Sequence, residues 1–145
     1  MEKSELKELY AEKNKSNPFI AHNHIEVEEV ERDRAVLSLE INDECRNLYG
    51  FVHGGAMFAM ADNAAGCAAT TDGRKYVTES GSINFLRNQA EGRIFADARV
   101  RHRGRTITLV ETDILGDSGT LLATASFSYF CLSPDGDEPA DAAGQ

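Results

Sequence analysis

The stretch NLYGFVHGGAMFAMADNAAGCAATT, residues 47–71, decides the fold. From Gly54 onward it is rich in Ala and Met, contains no proline and has few β-branched residues, which favours an α-helix. Nearly every side of that helix is apolar, and a helix with so little polar surface is buried rather than amphipathic. We therefore predict one buried helix from residue 54 to about residue 71, with a length of about 26 Å at the α-helical rise.

Strand-like segments flank this helix on both sides. Before it, residues 25–30 and 35–41 predict a hairpin with its turn in the charged segment between them. After it come four long strand candidates with short turn-like breaks: residues 76–87, 93–103, 106–115 and 120–132. Short connections between long strands imply antiparallel pairing. The sequence predicts an α+β domain in which an antiparallel sheet of about six strands wraps around one long buried helix.

Alternation along two of these strands assigns their side chains to faces. In the last strand, one apolar face is predicted to carry Leu121, Ala123, Ala125, Phe127, Tyr129 and Cys131. In residues 93–103, the inner face is predicted to carry Ala96, Ala98, Val100 and His102. The opposite, solvated face of that strand is predicted to carry Asp97, Arg99, Arg101 and Arg103. One face of the sheet is therefore expected to cover the helix.

The 145 residues, 41% of them hydrophobic, have the size and makeup of a single domain with one core. We place this domain at residues 1–132, and its first element is a helix over residues 2–14 that ends before Asn17 and Pro18. Residues 133–145 are acidic, lack hydrophobic periodicity and are expected to be disordered.

The net charge of -9 argues against a nucleic-acid partner, because an acidic surface repels phosphate at long range. The acidic excess lies in residues 1–44 and 133–145, whereas residues 45–132 are nearly neutral. The middle of the chain can therefore still host an anionic ligand.

The cysteines and the N-terminus bear on location. Cys45, Cys67 and Cys131 are odd in number, form no CxxC pair and are expected to be free thiols in a reducing compartment. The first residues alternate in charge and lack the apolar stretch of a signal peptide. The longest apolar segment is interrupted by Asp62 and Asn63 and is too short to span a membrane. We expect a cytoplasmic protein with no membrane partner.

The chemistry is concentrated at the predicted buried helix. His53-Gly54-Gly55 lies at its start, where free backbone N–H groups and the helix dipole attract an oxyanion. Glycine there lets a ligand carbonyl approach the backbone without meeting a Cβ atom. Asp62 then places a carboxylate among apolar neighbours, which is costly unless the carboxylate has a function.

The spacing of these groups predicts a homodimer. Gly54 and Asp62 are about 12 Å apart along a helix, whereas an oxyanion donor and an attacking group must both lie about 3 Å from one reacting carbon. Two antiparallel copies of the helix would bring the Gly54 end of one chain to Asp62 of the other. If both groups act in one site, the chain forms a homodimer with two equivalent sites.

These residues resemble a known family. The matching segments, in order and spacing from residue 47 to residue 132, are Asn47, His53-Gly54-Gly55, Ala61-Asp62-Asn63-Ala64, residues 83–87 (INFLR) and residues 100–105 (VRHRGR). The pattern resembles the hotdog-fold acyl-CoA thioesterases of the phenylacetic-acid-degradation, or PaaI-like, branch. The fold of that family, a long helix wrapped by an antiparallel sheet, agrees with the strand pattern. Asn88 departs from it, because these proteins commonly have Pro there.

The resemblance implies a role for each matching residue. Asp62 would be the general base or nucleophile in thioester hydrolysis, and the Gly54 amide, with Gly55 beside it, would polarise the thioester carbonyl. Asn47 would position water or the carbonyl, His53 would hold the glycine turn through a hydrogen bond, and Ser80 would orient water. The resemblance implies a homodimer or a dimer of dimers, with no cofactor apart from the coenzyme A of the substrate.

Each of these residues also has a structural interpretation. Asn47 suits a turn, His53 suits positioning better than proton transfer, and Ser80 can simply hydrogen-bond its neighbours. Candidates for binding the substrate and its CoA group are Arg87, Arg101, Arg103, Phe51, Met57 and Phe58. Most of the arginines are expected to be solvated, with at least one reaching a CoA phosphate. His22, His24 and Glu26 have strand spacing but no further ligand nearby, so no metal site is expected.

Three functions remain open at this point. The leading one is hydrolysis of an acyl-CoA thioester with an aryl-acetyl or medium acyl group to the free acid and CoA. A second is a non-catalytic acyl-CoA-binding or sensing protein on the same fold. A third is an enoyl-CoA hydratase or dehydratase of the hotdog fold. The sequence leaves open the acyl group, the base or nucleophile role of Asp62, and the choice between dimer and tetramer.

Overall fold

The structure is a computed structural model that describes residues 1–136. Two helices precede the first hairpin: α1 (Lys3–Lys15) and α2 (Pro18–His22). The hairpin strands β1 (Glu26–Glu31) and β2 (Arg34–Glu40) lead through a short 3₁₀ turn (Asp43–Cys45) to the long helix α3 (Gly54–Thr70). Four strands follow: β3 (Tyr76–Phe85), β4 (Arg93–Arg103), β5 (Ile107–Leu115) and β6 (Leu121–Cys131).

All six strands form one antiparallel sheet in the order β1-β2-β4-β5-β6-β3. Helix α3 packs on one face of this sheet and contacts every strand. The predicted α+β fold class, a six-stranded antiparallel sheet around one long helix, is confirmed. Since β3 follows α3 and pairs only with β6, it lies at one edge of the sheet and presents its second backbone edge outward.

The core lies between α3 and the sheet. Met60, Ala61, Ala64 and Ala65 of α3 are fully buried, because small side chains let the strands approach the helix closely. The large side chains that meet them from the sheet are Leu37, Leu39, Ile94, Ile114 and Phe127. The other side of α3 is more open than predicted: Phe58 retains 36% of its exposure, and Gly55 is exposed. A single copy of the chain therefore buries only part of the helix surface.

Element bounds agree with the sequence to within about two residues, with one omission. The predicted helix from Gly54 has 17 residues and ends at Thr70. The short helix α2 was not predicted. Asn17 and Pro18 do end α1, but Pro also suits the first turn of a new helix, and Pro18 begins α2.

A β-bulge changes the faces at the end of β4. The pairing register with β5 shifts between Val100 and His102, which inserts Arg101 as an extra residue. Arg103 therefore turns toward α3, and its side chain is only 16% exposed, while His102 is exposed. The predicted placement of His102 on the inner face and Arg103 on the solvated face is wrong, because strict alternation assumes an unbroken ladder.

The ordered chain also extends past the predicted domain end at residue 132. Ser133 is fully buried and its Oγ accepts a hydrogen bond from the Lys75 N–H at 2.9 Å. The following turn closes with the Gly136 N–H donating to the Ser133 carbonyl. The expectation of disorder from residue 133 is thus wrong for residues 133–136, and its remainder, residues 137–145, lies outside the described part of the chain.

Candidate active site

His53 caps the N-terminus of α3. Its backbone is extended, and its Nδ1 accepts a hydrogen bond from the Gly55 N–H at 2.8 Å. The Gly55 donor is thereby used within the chain, whereas Gly54, as the first helical residue, has an N–H without an intrahelical acceptor. The first turn also contains no acidic side chain that would neutralise the positive end of the helix dipole.

Gly54 lies in close contact with an aromatic ring. A Cβ atom on Gly54 would approach the Phe85 ring to 3.1 Å, which is tighter than ordinary contacts. Met57, Phe85, Leu86 and Arg87 surround a cavity of about 430 Å³ at this end of the helix. Glycine at this position therefore keeps the helix start accessible beside a packed Phe85.

Asn47 shapes the loop that leads to the helix. Its Oδ1 accepts hydrogen bonds from the Tyr49 N–H at 2.9 Å and the Phe51 N–H at 3.0 Å. This is the turn role that the sequence offered as the structural alternative. Both bonds use the carbonyl oxygen of the side chain, so Nδ2 is the group that could donate to a ligand.

Asp62 is half-buried on the side of α3 that faces α1. Its Oδ1 accepts a hydrogen bond from Thr78 Oγ1 at 3.0 Å and one from Tyr129 Oη at 2.5 Å. A cavity of about 440 Å³ lies beside it, walled by α1 residues Tyr10, Lys13 and Asn14. The sequence did not identify Thr78 or Tyr129 as site residues, because only tertiary packing brings them to the carboxylate.

Ser80 does not reach Asp62. The β3–β6 register shifts between Thr78 and Ser80, so that Ser80 pairs with Ser128 and Thr78 pairs with Tyr129. Since Tyr129 is buried against α3, Thr78 shares its face and Ser80 lies on the opposite face of the sheet. Within this chain, Ser80 therefore points away from Asp62, and Thr78 is the β3 residue that contacts the carboxylate.

The cavities of Gly54 and Asp62 are separate. The cavity at Gly54 is bounded by the start of α3 and the end of β3, whereas the cavity at Asp62 is bounded by α1, α3 and β6. Neither of these two cavities contains both groups. Within one chain, the two candidate groups therefore lie about two turns apart on the same helix.

The three candidate CoA-binding arginines differ in their surroundings. Arg87 borders the Gly54 cavity. Arg101 is exposed, and its Nε lies 3.5 Å from Glu111. Arg103 instead bonds Asp33 and Asp72 at 2.7 Å each, together with the Ala68 and Ala69 carbonyls. Because its donors are already occupied, Arg103 is a structural residue and leaves the set of candidate phosphate ligands.

Of the three apolar candidates, only Met57 lines the Gly54 cavity. Its side chain is buried. Phe58 and Phe51 are partly exposed, and the Phe58 ring packs edge-on against Phe127 with centroids 5.4 Å apart. The loop between Asn47 and the helix also carries Leu48, which is 93% exposed.

The electrostatics at the C-terminal end of α3 differ from those beside Asp62, in the middle of the helix. At the C-terminal end, burial alone would raise the pKa of Asp72, but hydrogen bonds from Arg74 and Tyr76 and the charge of Arg103 outweigh it and lower that pKa. Beside Asp62, burial raises the pKa of Tyr129, and the Asp62 charge and hydrogen bond raise it further. The Tyr129 hydroxyl therefore stays protonated and acts as a donor to the carboxylate.

Metal-binding geometry is not found in the part of the chain that the structure describes, where no three His, Cys, Asp or Glu side chains cluster suitably. His24 lies 3.3 Å from Glu44 rather than beside Glu26. Cys45, Cys67 and Cys131 are all buried free thiols. Among residues 1–136, no helix is long and apolar enough to cross a bilayer.

Comparison with known proteins agrees with this geometry. The family model of the thioesterase superfamily matches residues 49–123, just over half of the chain. The chain belongs to the thioesterase superfamily. The resemblance to the PaaI-like hotdog thioesterases is thus confirmed, and with it the assignment as a thioester hydrolase.

Two curated relatives illustrate the similarity. A protein of Saccharolobus solfataricus that is called an esterase is 31% identical over 110 residues, which cover 74% of this chain and 79% of that protein. The acyl-coenzyme A thioesterase PaaI of Escherichia coli is 27% identical over 100 residues, covering 68% of this chain and 71% of PaaI.

Among solved structures, a hypothetical thioesterase of Streptococcus pneumoniae with coenzyme A superimposes with a TM-score of 0.71. It is 27% identical, and the match covers 74% of this chain and 88% of that one. Two further structures of that thioesterase carry alanine in place of an aspartate and in place of a threonine.

Proposed function

We propose that this thioesterase hydrolyses an acyl-CoA thioester, with an aryl-acetyl or medium acyl group, to the free acid and CoA. The observation that carries the proposal is the Asp62 carboxylate, anchored through Oδ1 by two hydroxyls and bordering a cavity. A carboxylate held in this way can act on a thioester as a general base or as a nucleophile. The bound coenzyme A in the Streptococcus pneumoniae thioesterase supports the same ligand class.

The proposed site combines two copies of the chain. The Gly54 N–H would stabilise the oxyanion, yet Gly54 and Asp62 border separate cavities of one chain. An antiparallel second copy would bring its Gly54 cavity to this Asp62. The apolar surface around the open side of α3 supports such an interface, since it includes the exposed side chains of Phe58, Phe85 and Leu86. We therefore propose a homodimer as the active unit; a dimer of dimers is compatible with it.

The proposed reaction balances without a further reactant. Water, deprotonated by Asp62, adds to the thioester carbonyl, and the carbonyl oxygen becomes an oxyanion that accepts from the Gly54 N–H of the second copy. The C–S bond then breaks, and the CoA thiolate takes the proton that Asp62 received. In the nucleophilic variant, Asp62 attacks the carbonyl, and water cleaves the resulting mixed anhydride. Neither route requires a metal or redox cofactor.

Thr78 and Arg87 complete the proposed machinery. Thr78 lies 16 residues after Asp62. The aspartate and threonine replaced in the Streptococcus pneumoniae structures have the same separation, which supports Thr78 as the partner of Asp62 in place of Ser80. Arg87, beside the Gly54 cavity, is the better-placed arginine for a CoA phosphate. The cytoplasmic location stays a prediction.

The test is steady-state hydrolysis of a panel of acyl-CoAs by wild type and Asp62→Asn. Asn keeps the shape of the side chain but cannot accept a proton at neutral pH, so we expect kcat to fall at least about a hundredfold. Asp113→Asn is the matched control, because Asp113 lies on the outer face of the sheet, away from α3, and should keep wild-type kcat.

Equal rates for wild type and Asp62→Asn would contradict the assignment of Asp62. Tight CoA-ester binding by calorimetry with no turnover would instead favour a binding or sensing protein. Conversion of an enoyl-CoA in the same panel would favour a hydratase.

A further inference from the structure

Tyr129 makes the shorter of the two hydrogen bonds to the Asp62 carboxylate. It is not among the residues that carry the family resemblance. Its Oη lies 2.5 Å from Asp62 Oδ1 and 2.6 Å from the Asp62 backbone oxygen. Tyr129 is buried, with only 3% of its surface exposed. The distance to Oδ1 falls in the range of charge-assisted O–H···O⁻ bonds, which are about twice as strong as neutral ones.

We propose that Tyr129 is a positioning residue that locks the Asp62 carboxylate with Oδ1 turned into the protein and Oδ2 presented to the reacting group. This inference rests on the proposed function of Asp62. It adds the choice of oxygen: Oδ2 is the atom that takes the proton from water or attacks the thioester carbon.

The division of roles between the two oxygens follows from the donors. Thr78 and Tyr129 pair directly across the β3–β6 ladder, and both hydroxyls point to Oδ1. Within residues 1–136, no hydrogen bond to Oδ2 is found. An oxygen that accepts two hydrogen bonds is less available to a reactant than one that accepts none, so the proton or the carbonyl carbon is expected at the other oxygen.

The Tyr129 ring is itself held rigidly. It lies over Gly66, one turn after Asp62, with its atoms about 3.7 Å from the position of a Cβ on that glycine. On its other side it meets Phe127 at 6.3 Å between ring centroids, and Phe127 in turn packs edge-on against Phe58. Because the ring cannot turn without disturbing this aromatic row, the hydroxyl fixes the rotamer of Asp62.

Tyr129→Phe removes only the hydroxyl and keeps the ring. We expect kcat to fall about tenfold to a hundredfold, in line with loss of one hydrogen bond to a charged group, while KM stays within about twofold. The acid limb of the kcat–pH profile should move to higher pH, because the ionised carboxylate loses a donor that stabilises it. A purely structural role would leave that limb in place.

Thr112→Val is the matched control. Thr112 is also a buried hydroxyl that bonds this segment of α3, since its Oγ1 donates to the Ala61 carbonyl at 3.2 Å, but it does not touch the carboxylate. Its removal should lower the melting temperature and leave kcat and the pH profile unchanged. An equal loss of kcat in both variants would overturn the proposal, as would wild-type kcat or a KM-only effect in Tyr129→Phe.

Two further outcomes are distinguishable. If wild type hydrolyses no member of the panel, the proposed function fails and the inference falls with it, whereas an active wild type with an unaffected Tyr129→Phe overturns the inference alone. If Tyr129→Phe does not fold, Thr78→Val on the exposed edge strand removes the other donor to Oδ1. The same upward move of the acid limb is then expected, and an unchanged profile would overturn the assignment of Oδ1.

Discussion

The two ends of α3 differ in the hydrogen bonds and charges that the rest of the chain provides to them. At the C-terminal end, the Ala68 and Ala69 carbonyls accept hydrogen bonds from the Arg103 guanidinium, and Arg103 is neutralised by Asp33 and Asp72. At the N-terminal end, the cap is the His53 imidazole, whose Nδ1 accepts from the Gly55 N–H, and no acidic side chain lies in the first turn. A cation thus completes one end of the helix dipole, while the other end is left without its anion.

This contrast separates stability from function along one helix. Groups that a fold needs are satisfied within the chain, because a buried unpaired group costs free energy. A group reserved for a ligand must instead be left accessible, as the Gly54 N–H is. We infer that the C-terminal end anchors α3 to the sheet. The N-terminal end keeps a free N–H that can stabilise the negative charge that develops on a substrate. Each of the following predictions bears on this division.

The largest expected effect is on stability at the C-terminal end. Arg103→Ala would leave two helix carbonyls without their donor and remove one of the two cations that bond Asp72. Because Arg74 still pairs with Asp72, we expect a loss of about 3 kcal/mol, the low end for breaking a buried ion pair. Urea unfolding at pH 7 measures this loss, and kcat per folded molecule should stay at the wild-type value. Arg101→Ala, two residues earlier and exposed, is the control and should change stability by less than about 1 kcal/mol. A similar loss in both variants would break the comparison.

The sequence predicted helix α3 and the polar groups on it better than the strand residues that contact them. The composition of residues 54–71 was sufficient for α3, since Ala-rich apolar segments without proline have a clear local preference. The glycine start, Asp62 and the apolar face that holds Tyr129 also followed from pattern. The alternation predicted for residues 93–103 is wrong beyond the bulge between Val100 and His102. A second register shift lies between Thr78 and Ser80, in a strand whose faces were not predicted.

Each bulge adds one residue and so reverses the faces of every residue beyond it. That effect explains why Arg103 lies against the helix end instead of in solvent. Ser80 was a candidate through the family resemblance alone, and the register of β3 puts Thr78 rather than Ser80 on the face of Asp62. The contact between Tyr129 and Asp62 spans 67 residues and depends on how β6 and α3 pack. No local pattern in the sequence encodes it.

An intermediate effect is expected at the N-terminal end. His53→Ala removes the acceptor for the Gly55 N–H, and loss of an N-cap costs about 1 kcal/mol. Because the Gly54 turn also loses its fixed geometry, we expect kcat to fall by about tenfold, which unfolding and steady-state kinetics can measure separately. His53→Asn, whose side-chain oxygen can also cap a helix, should recover both values. A loss of stability with wild-type kcat would show that the N-terminal end of α3, like the C-terminal end, contributes to stability alone.

The smallest expected effect is the acid dependence of the C-terminal end. The folded-state pKa of Asp72 is lowered, so its ionisation contributes stability that is present above the unfolded pKa of about 3.9 and is lost as pH falls through the folded value. Between pH 7 and pH 3, wild type should therefore lose more stability in urea than Asp72→Asn does.

Asp113 provides the opposite sign, because burial first, and then the charges of Asp97 and Glu111, raise its pKa. Its ionisation weakens the fold at neutral pH, so Asp113→Asn should be slightly more stable than wild type at pH 7, with the difference shrinking in acid. Identical acid profiles for the two variants would mean that Asp72 does not anchor the helix end through its charge.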